Sequence, residues 1–184
     1  MDFREYYNLE SYLFDKVRVQ FAKQGYLTAF DFFCIVIWKA NRAKSKIAQT
    51  ILKSGATDLD EAARNITSDL SQKSTPKERL HSLLKVGFHL PMASAILTVL
   101  YPNEFTVYDK RVCDQLGDFH NITNKSNFES LWSGYMDFKQ KVEETEPSGL
   151  SLRDKDRYLW GKSFCEQLNR DISQGFKKDT SDGS

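Results

Sequence analysis

The amino-acid sequence predicts an all-α protein, on the basis of three observations. Apolar residues recur at three- and four-residue spacing through most of the chain, which is the pattern of a helix with one buried face. Pro76 and Pro91 stand where two such stretches begin, and proline is favoured at the start of a helix. The strand-like piece at residues 106–108 is too short to build a sheet. We therefore expect a compact helical bundle, and the length allows one domain or two small lobes that share a core.

Local signals set the limits of the predicted helices. Gly25 separates the first two helices, and Thr28 precedes the second as an N-cap. Gly55 ends that helix, and Thr75 caps the helix that Pro76 begins. The predicted helices cover residues 9–23, 28–52, 58–72, 76–86, 91–100, 109–116, 127–142 and 152–173.

The length and composition suit one globular domain. A chain of 184 residues fits a single core, which we expect over residues 1–176. The hydrophobic fraction of 40% and the charged fraction of 28% are ordinary for such a domain. The tail at residues 177–184 is small and polar, so we expect it to be disordered.

The sequence gives no indication of a membrane segment. Its longest apolar run falls well short of the roughly 20 residues that a membrane-spanning helix needs. Residues 1–5 are charged and lack the apolar core of a signal peptide. We expect a cytoplasmic protein, associated with the nucleoid if it binds DNA.

Cysteine and histidine are spaced unlike metal ligands. The cysteines at positions 34, 113 and 165 are odd in number and far apart, which disfavours a disulfide framework or a four-cysteine metal site. The histidines at positions 81, 89 and 120 also lack close ligand spacing. We expect neither a metal nor a cofactor.

Positive charge is concentrated although the net charge is only +1. Residues 32–57 contain no acidic residue. They contain the cations Lys39, Arg42, Lys44, Lys46 and Lys53. A basic face on a nearly neutral protein suits a polyanion such as DNA, although a solvated helix face explains the same pattern equally well.

The most informative stretch is a predicted hairpin of two helices, at about residues 77–100. Gly87 supplies the backbone freedom that a tight turn needs, and His89 is tolerated in a left-handed position. Small residues at positions 93–95 let the two helices approach closely. The N–H groups at the start of the second helix are expected to bind a phosphate oxygen.

This hairpin resembles that of the helix-hairpin-helix DNA glycosylase superfamily, which includes endonuclease III and the 3-methyladenine glycosylases. Gly87 matches the first glycine of the family pattern, Ala93 its alanine, and residues 96–97 its apolar end. Downstream, Asp109 in the run Val-Tyr-Asp-Lys-Arg-Val stands where the family has its catalytic aspartate. The resemblance covers about residues 79–116.

The resemblance implies a fold, a reaction and a partner. Two helical lobes would flank an active-site cleft. The catalytic loop and helix would be residues 101–117. Asp109 would stabilise the sugar cation that forms as an N-glycosidic bond breaks, and would orient the attacking water. The expected partner is double-stranded DNA with one base flipped into the cleft of a monomer.

The sequence departs from the family pattern at three hairpin positions. Val86 replaces a proline and His89 replaces the second glycine. Pro91 occupies the position at which bifunctional members carry a lysine that forms an imine. Because proline cannot form that imine, the resemblance implies a monofunctional enzyme that leaves an abasic site.

Two sets of residues complete the predicted site. The DNA-binding set comprises Lys85, Gly87, Phe88, His89, Leu90, Pro91, Met92, Ala93, Ser94, Lys110 and Arg111. The base pocket comprises Trp38, Lys39, Arg42, Tyr108 and Trp160.

Simpler interpretations remain open for these residues. Asp109 could serve as a helix N-cap, and Trp38 could be an ordinary core residue. The whole chain could be a DNA-binding protein without catalysis, or a helical protein-interaction domain. In the interaction domain, the Asp109 carboxylate would serve in capping alone.

Overall fold

The computed structural model describes residues 3–176, and in this range the protein is all-α, as predicted. The predicted disordered tail at residues 177–184 lies outside the described residues. The α-helices are α1 (Leu9–Tyr12), α2 (Arg18–Gln24), α3 (Ala29–Ala40), α4 (Lys44–Leu52), α5 (Leu59–Gln72), α6 (Pro76–Val86), α7 (Leu90–Leu100), α8 (Lys110–Leu116), α9 (Phe128–Glu144) and α10 (Leu152–Ser173).

Shorter helical turns link several of these elements. A π-helical turn, Leu13–Val17, joins α1 to α2, and the junction residues keep right-handed helical dihedrals. The prediction that residues 9–23 are helical is therefore confirmed, with the π-helical turn inside this stretch. Further 3₁₀ turns lie at Phe3–Tyr6, Asn41–Ala43 and Ile122–Asn124.

The prediction of one continuous helix over residues 28–52 is wrong. The chain leaves the helical conformation at Ala40, where φ is −161° and ψ is 86°, and then forms the 3₁₀ turn Asn41–Ala43. After the turn, α4 buries Ile47 and Ile51 and packs on α5. Apolar spacing on each side of the break is helical, so periodicity alone does not reveal the break.

The predicted caps form at the helix starts. Thr28 accepts a hydrogen bond from the Asp31 N–H at 3.3 Å. Thr75 and Glu78 form a reciprocal capping box, with Pro76 in the first turn of α6. These bonds satisfy donors that would otherwise be left open at the helix N-termini.

The centre of the molecule is α7, whose residues from Met92 to Leu100 are all buried. It packs against α2, α3 and α6, while α8 packs on α10 and α10 on α9. The closest helix contacts thus fall into an early group, α1–α7, and a late group, α8–α10, although the buried apolar residues form one core. None of the described helices is both long and apolar enough to cross a membrane.

Candidate functional site

A cavity of about 480 Å³ lies between α10 and the elements α1 and α3. Its wall contains three carboxylates, three cations, two tryptophans and a valine. The lining residues are Glu10, Trp38, Lys39, Val107, Asp109, Arg153, Asp156, Arg157 and Trp160. Three of the five predicted pocket residues and the predicted catalytic aspartate therefore meet at one place.

The Asp109 carboxylate has two different partners in this cavity. Its Oδ1 accepts the Arg111 N–H at 3.0 Å, which caps α8. Its Oδ2 forms an ion pair with Nζ of Lys39, which comes from α3. The carboxylate thus caps α8 and also pairs with a cation from α3. Each oxygen retains a lone pair for a water molecule or a ligand.

The extended segment before Asp109 is held from two sides, which fixes where that carboxylate lies. The Tyr108 N–H donates to Ser94 Oγ at 2.9 Å, from α7. The Tyr135 hydroxyl, from α9, accepts the Thr106 N–H at 3.1 Å and donates to the Thr106 carbonyl at 2.8 Å. These buried bonds replace the ladder that a strand would have provided.

Arg153 links the carboxylates on the far wall of the cavity. Its guanidinium forms ion pairs with Glu10 of α1 and with Asp156 one turn along α10. It also lies over the Trp38 ring, with the guanidinium carbon 5.2 Å from the ring centroid. Arg157 adds a second bond to Glu10, with Nε 2.7 Å from Oε1. These ion pairs join α10 to α1.

Burial and charge act differently on two of these carboxyl groups. Burial raises the pKa of Asp156 to about 6, although Arg153 and Lys39 act to lower it. Burial also acts to raise the pKa of Glu10, but the charges and hydrogen bonds of Arg153 and Arg157 outweigh it, so that pKa is lowered. The cavity therefore contains a carboxyl group that is easily protonated beside one that stays ionised.

Two predicted pocket residues lie elsewhere. Arg42 is exposed in the 3₁₀ turn after α3, because the helix on which it was expected ends at Ala40. The Tyr108 side chain is buried in the core, where its hydroxyl donates to the Phe119 carbonyl at 2.6 Å. Tyr108 therefore supports the segment that carries Asp109 and does not line the cavity.

Several lining residues escaped the sequence analysis. Glu10, Arg153, Asp156 and Arg157 were not assigned to the site, although Asp156 carries a detectable signal. It lies on the stripe that contains the buried residues Leu159 and Ser163 of α10. A charged residue on the buried face of a helix is uncommon without a partner or a function.

Trp160 and Arg111 form one rim of the cavity. The Trp160 ring stacks on Phe164 with centroids 5.8 Å apart. The Arg111 guanidinium carbon lies 5.4 Å from the Trp160 centroid. Lys110 is exposed next to it. The rim thus presents cations beside an exposed aromatic surface.

The hairpin of α6 and α7 has a different turn from the one expected. Gly87 is left-handed, with φ of 108°, but His89 has φ of −80° and ψ of 156°. The prediction of a left-handed His89 is wrong because this residue is the extended N-cap of α7. Its side chain is exposed.

Few groups of the hairpin are open to a phosphate. The amides of Gly87 and Phe88 donate to carbonyls at the end of α6. The amides of His89 and Leu90 have no partner among the described residues. Lys85 is exposed and Pro91 is half-buried. The usable donors are therefore two backbone amides and Lys85.

Most predicted hairpin side chains face the core. Ser94 in particular is buried and donates to the Pro91 carbonyl at 3.2 Å, so its predicted contact with phosphate is wrong. The other buried side chains of the predicted DNA-binding set are Phe88, Leu90, Met92 and Ala93. Because α7 is buried on all sides, only its first turn reaches the surface.

A shallow groove of about 330 Å³ lies between this hairpin and the start of α9. Its wall carries Lys85, His89, Lys125 and His81, and the described lining contains no carboxylate. The His81 ring stacks on Phe128, with centroids 4.1 Å apart and planes at 14°.

The described residues contain no group of three or more His, Cys, Asp or Glu side chains placed to hold a metal ion. Cys34 and Cys113 are buried free thiols, and Cys165 is an exposed one.

No family model, curated protein or solved structure matches the chain.

Proposed function

We propose that this protein hydrolyses the N-glycosidic bond of a modified or damaged base in DNA. The observation that carries the proposal is the place of Asp109, which lines a cavity walled by Trp38 and Trp160. Its volume of about 480 Å³ lies in the usual range for small-molecule sites. A flipped-out base would stack on the aromatic wall, as bases do in enzymes that act on them.

Asp109 would act on the sugar of the flipped nucleotide. Breaking the glycosidic bond develops positive charge on the sugar, which a nearby carboxylate stabilises. The ion pair with Lys39 and the bond from the Arg111 N–H fix both oxygens before the substrate binds. A water molecule bound to a remaining lone pair would attack C1′, with Asp109 as the general base.

The duplex would be held outside the cavity. The amides of His89 and Leu90, which have no partner in the described part of the chain, offer donors for a phosphate at the hairpin together with Lys85. Lys110 and Arg111 supply charge at the rim of the cavity. One copy of the chain provides every residue of this arrangement, so a monomer suffices, and a DNA substrate implies action at the nucleoid.

Hydrolysis rather than imine chemistry follows from two positions. Pro91 occupies the hairpin position of the family lysine and has no amine to offer. Lys39 does bring an amine into the cavity, but it is held in an ion pair with Asp109. We propose that Lys39 orients that carboxylate and does not attack the sugar.

A panel of duplexes, each with one modified base, tests the proposal. We expect at least one duplex to be converted to an abasic site, which breaks only after alkali treatment. Sodium borohydride should trap no protein–DNA adduct, because no imine forms. The absence of base release from every duplex, at low salt and with bound DNA, would contradict the proposed function.

A DNA-binding protein without catalysis is the second candidate. The observation in its favour is that both Asp109 oxygens already have partners within the chain. It predicts salt-dependent DNA binding and no base release from any duplex in the panel.

A further inference from the structure

A second carboxyl group, Asp156, shares the cavity with Asp109 but lies in a drier position. The Asp156 side chain is 4% exposed, whereas that of Asp109 is 24% exposed. Two carboxyl groups in one site, with environments that separate their proton affinities, are the usual arrangement of a paired acid and base. The proposed function assigns a task to Asp109 alone.

Its hydrogen bonds leave one oxygen of Asp156 available. Oδ2 accepts a bond from Arg153, whereas Oδ1 has no partner among the described residues. Arg153 also holds Glu10, so the orientation of Asp156 is fixed by a group that is itself anchored on α1. Oδ1 is therefore the atom that can carry a proton toward the cavity.

We propose that Asp156 is the general acid of this cavity and donates a proton to the departing base. The inference rests on the proposed function, and it also defines the substrate class. That class is a base that carries no charge in DNA and therefore needs a proton in order to leave. A base already cationic by alkylation, such as N7-methylguanine, needs no such help.

The step balances without a further reactant. The C1′–N bond breaks and its electron pair stays on the base nitrogen, while the Asp156 proton passes to the base. Water forms the new C1′–O bond and gives a proton to Asp109. The products are the neutral base and an abasic site. Proton exchange with solvent then restores both carboxyl groups.

The surroundings of Asp156 keep its proton available at near-neutral pH. Burial raises the pKa of Asp156 to about 6, from the ordinary value of 3.8 for an aspartate. The charged or titratable groups that face it are Arg153 and Arg157 of its own helix, Lys39 of α3, Glu10 of α1, Asp109, and Tyr135 of α9. Asp109 acts to raise the pKa of Asp156, and Lys39 and Arg153 act to lower it.

The test compares wild type and Asp156→Asn under single turnover, with an uncharged modified base and with N7-methylguanine. We expect the substitution to slow release of the uncharged base by roughly 10² to 10⁴-fold, the usual contribution of a general acid. Release of N7-methylguanine, where wild type performs it, should change by less than about threefold. Asparagine can still accept the Arg153 bond, so the fold should persist.

The pH profile, measured for wild type and for Asp156→Asn, provides a second readout. Release of the uncharged base should fall as pH rises above about 6, by up to tenfold per unit, and should level off at lower pH. In Asp156→Asn that fall should disappear. Thermal unfolding at pH 8 should place the variant at or above wild type, since the buried carboxylate is then replaced by a neutral amide.

The outcomes separate the two proposals. No base release by wild type from any duplex overturns the proposed function. Release of uncharged bases that is independent of pH in wild type, or unchanged in Asp156→Asn, overturns only the role of Asp156. Equal losses on both kinds of base, or a wild type that releases cationic bases alone, also overturn that role.

Discussion

The cavity around Asp109 and the groove beside the hairpin use charge in opposite ways. In the cavity, Lys39 pairs with Asp109, and Arg153 pairs with Glu10 and Asp156. In the groove, Lys85 and Lys125 face no carboxylate among the described lining residues. The charges of the cavity wall are largely paired within the chain, whereas the described lining of the groove presents two lysines that an external anion can neutralise.

This difference matches the two tasks that the proposed function requires. A reaction at one bond needs carboxylates held in fixed positions, and buried ion pairs provide that order at a cost in desolvation. Binding a duplex needs exposed cations that neutralise its phosphates and so release the counterions condensed on the DNA.

Arg153→Met should destabilise the protein most, because it leaves Glu10 with only Arg157 and leaves Asp156 buried without its cation. The loss of a buried ion-pair partner costs about 3 kcal/mol or more. Urea unfolding at pH 8 measures the change. The matched control is Arg157→Met, whose side chain is 51% exposed and should cost about 1 kcal/mol or less. Equal costs for the two variants would contradict the difference between the buried and the exposed cation.

Gly87→Ala should have a smaller effect, centred on the hairpin. The left-handed φ of 108° disfavours alanine, and its Cβ would lie 3.2 Å from Thr50 Cγ2. The left-handed conformation costs an L-residue about 1–2 kcal/mol. Gly117→Ala is the control, since its φ is 72° and a Cβ added there would meet no neighbouring atom within 4 Å. Unfolding measurements should show a larger loss of stability for Gly87→Ala, and this variant should also bind DNA more weakly. An equal loss of stability in the two variants would rule out the close contact with α4.

Lys85→Ala should leave the fold intact and weaken DNA binding by a few fold. Each phosphate contact contributes about 0.9 to the steepness of the slope of log affinity against log salt concentration, so the variant should have a slope that is shallower by that amount. Titration of a fluorescent duplex from about 50 to about 200 mM salt measures that slope. Lys141→Ala on α9, which removes an exposed lysine far from the hairpin in sequence, is the control. A slope unchanged by Lys85→Ala would show that the groove does not bind the duplex.

The fold class was predictable because helix signals are local. Apolar spacing, the caps Thr28 and Thr75, and the prolines of α6 and α7 each act within one or two turns. The break at Ala40 was not predictable, because it depends on where α4 must pack. The same limit explains Ser94 and Tyr108, whose residue types suited a ligand site and whose packing directs them inward.

The candidate site was predictable in part, through the resemblance to a family. That resemblance pointed to Asp109, and the predicted base pocket contributes Trp38, Lys39 and Trp160 to the same cavity. Glu10 and Asp156 were missed because both residues are far from Asp109 in the sequence. They come close to Asp109 only in the folded chain. Local patterns do not contain such distances, although a carboxylate on the buried stripe of α10 is a usable signal.

Asp109→Asn tests the central claim most directly, because asparagine is also a good N-cap and keeps the Arg111 bond. Base release under single turnover and affinity for the same duplex are measured side by side. We predict that release falls by roughly 10³-fold, a loss comparable to removal of one main stabilising group in other enzymes, while affinity changes little. Full base release by Asp109→Asn, with its fold and DNA binding intact, would contradict the assignment of Asp109.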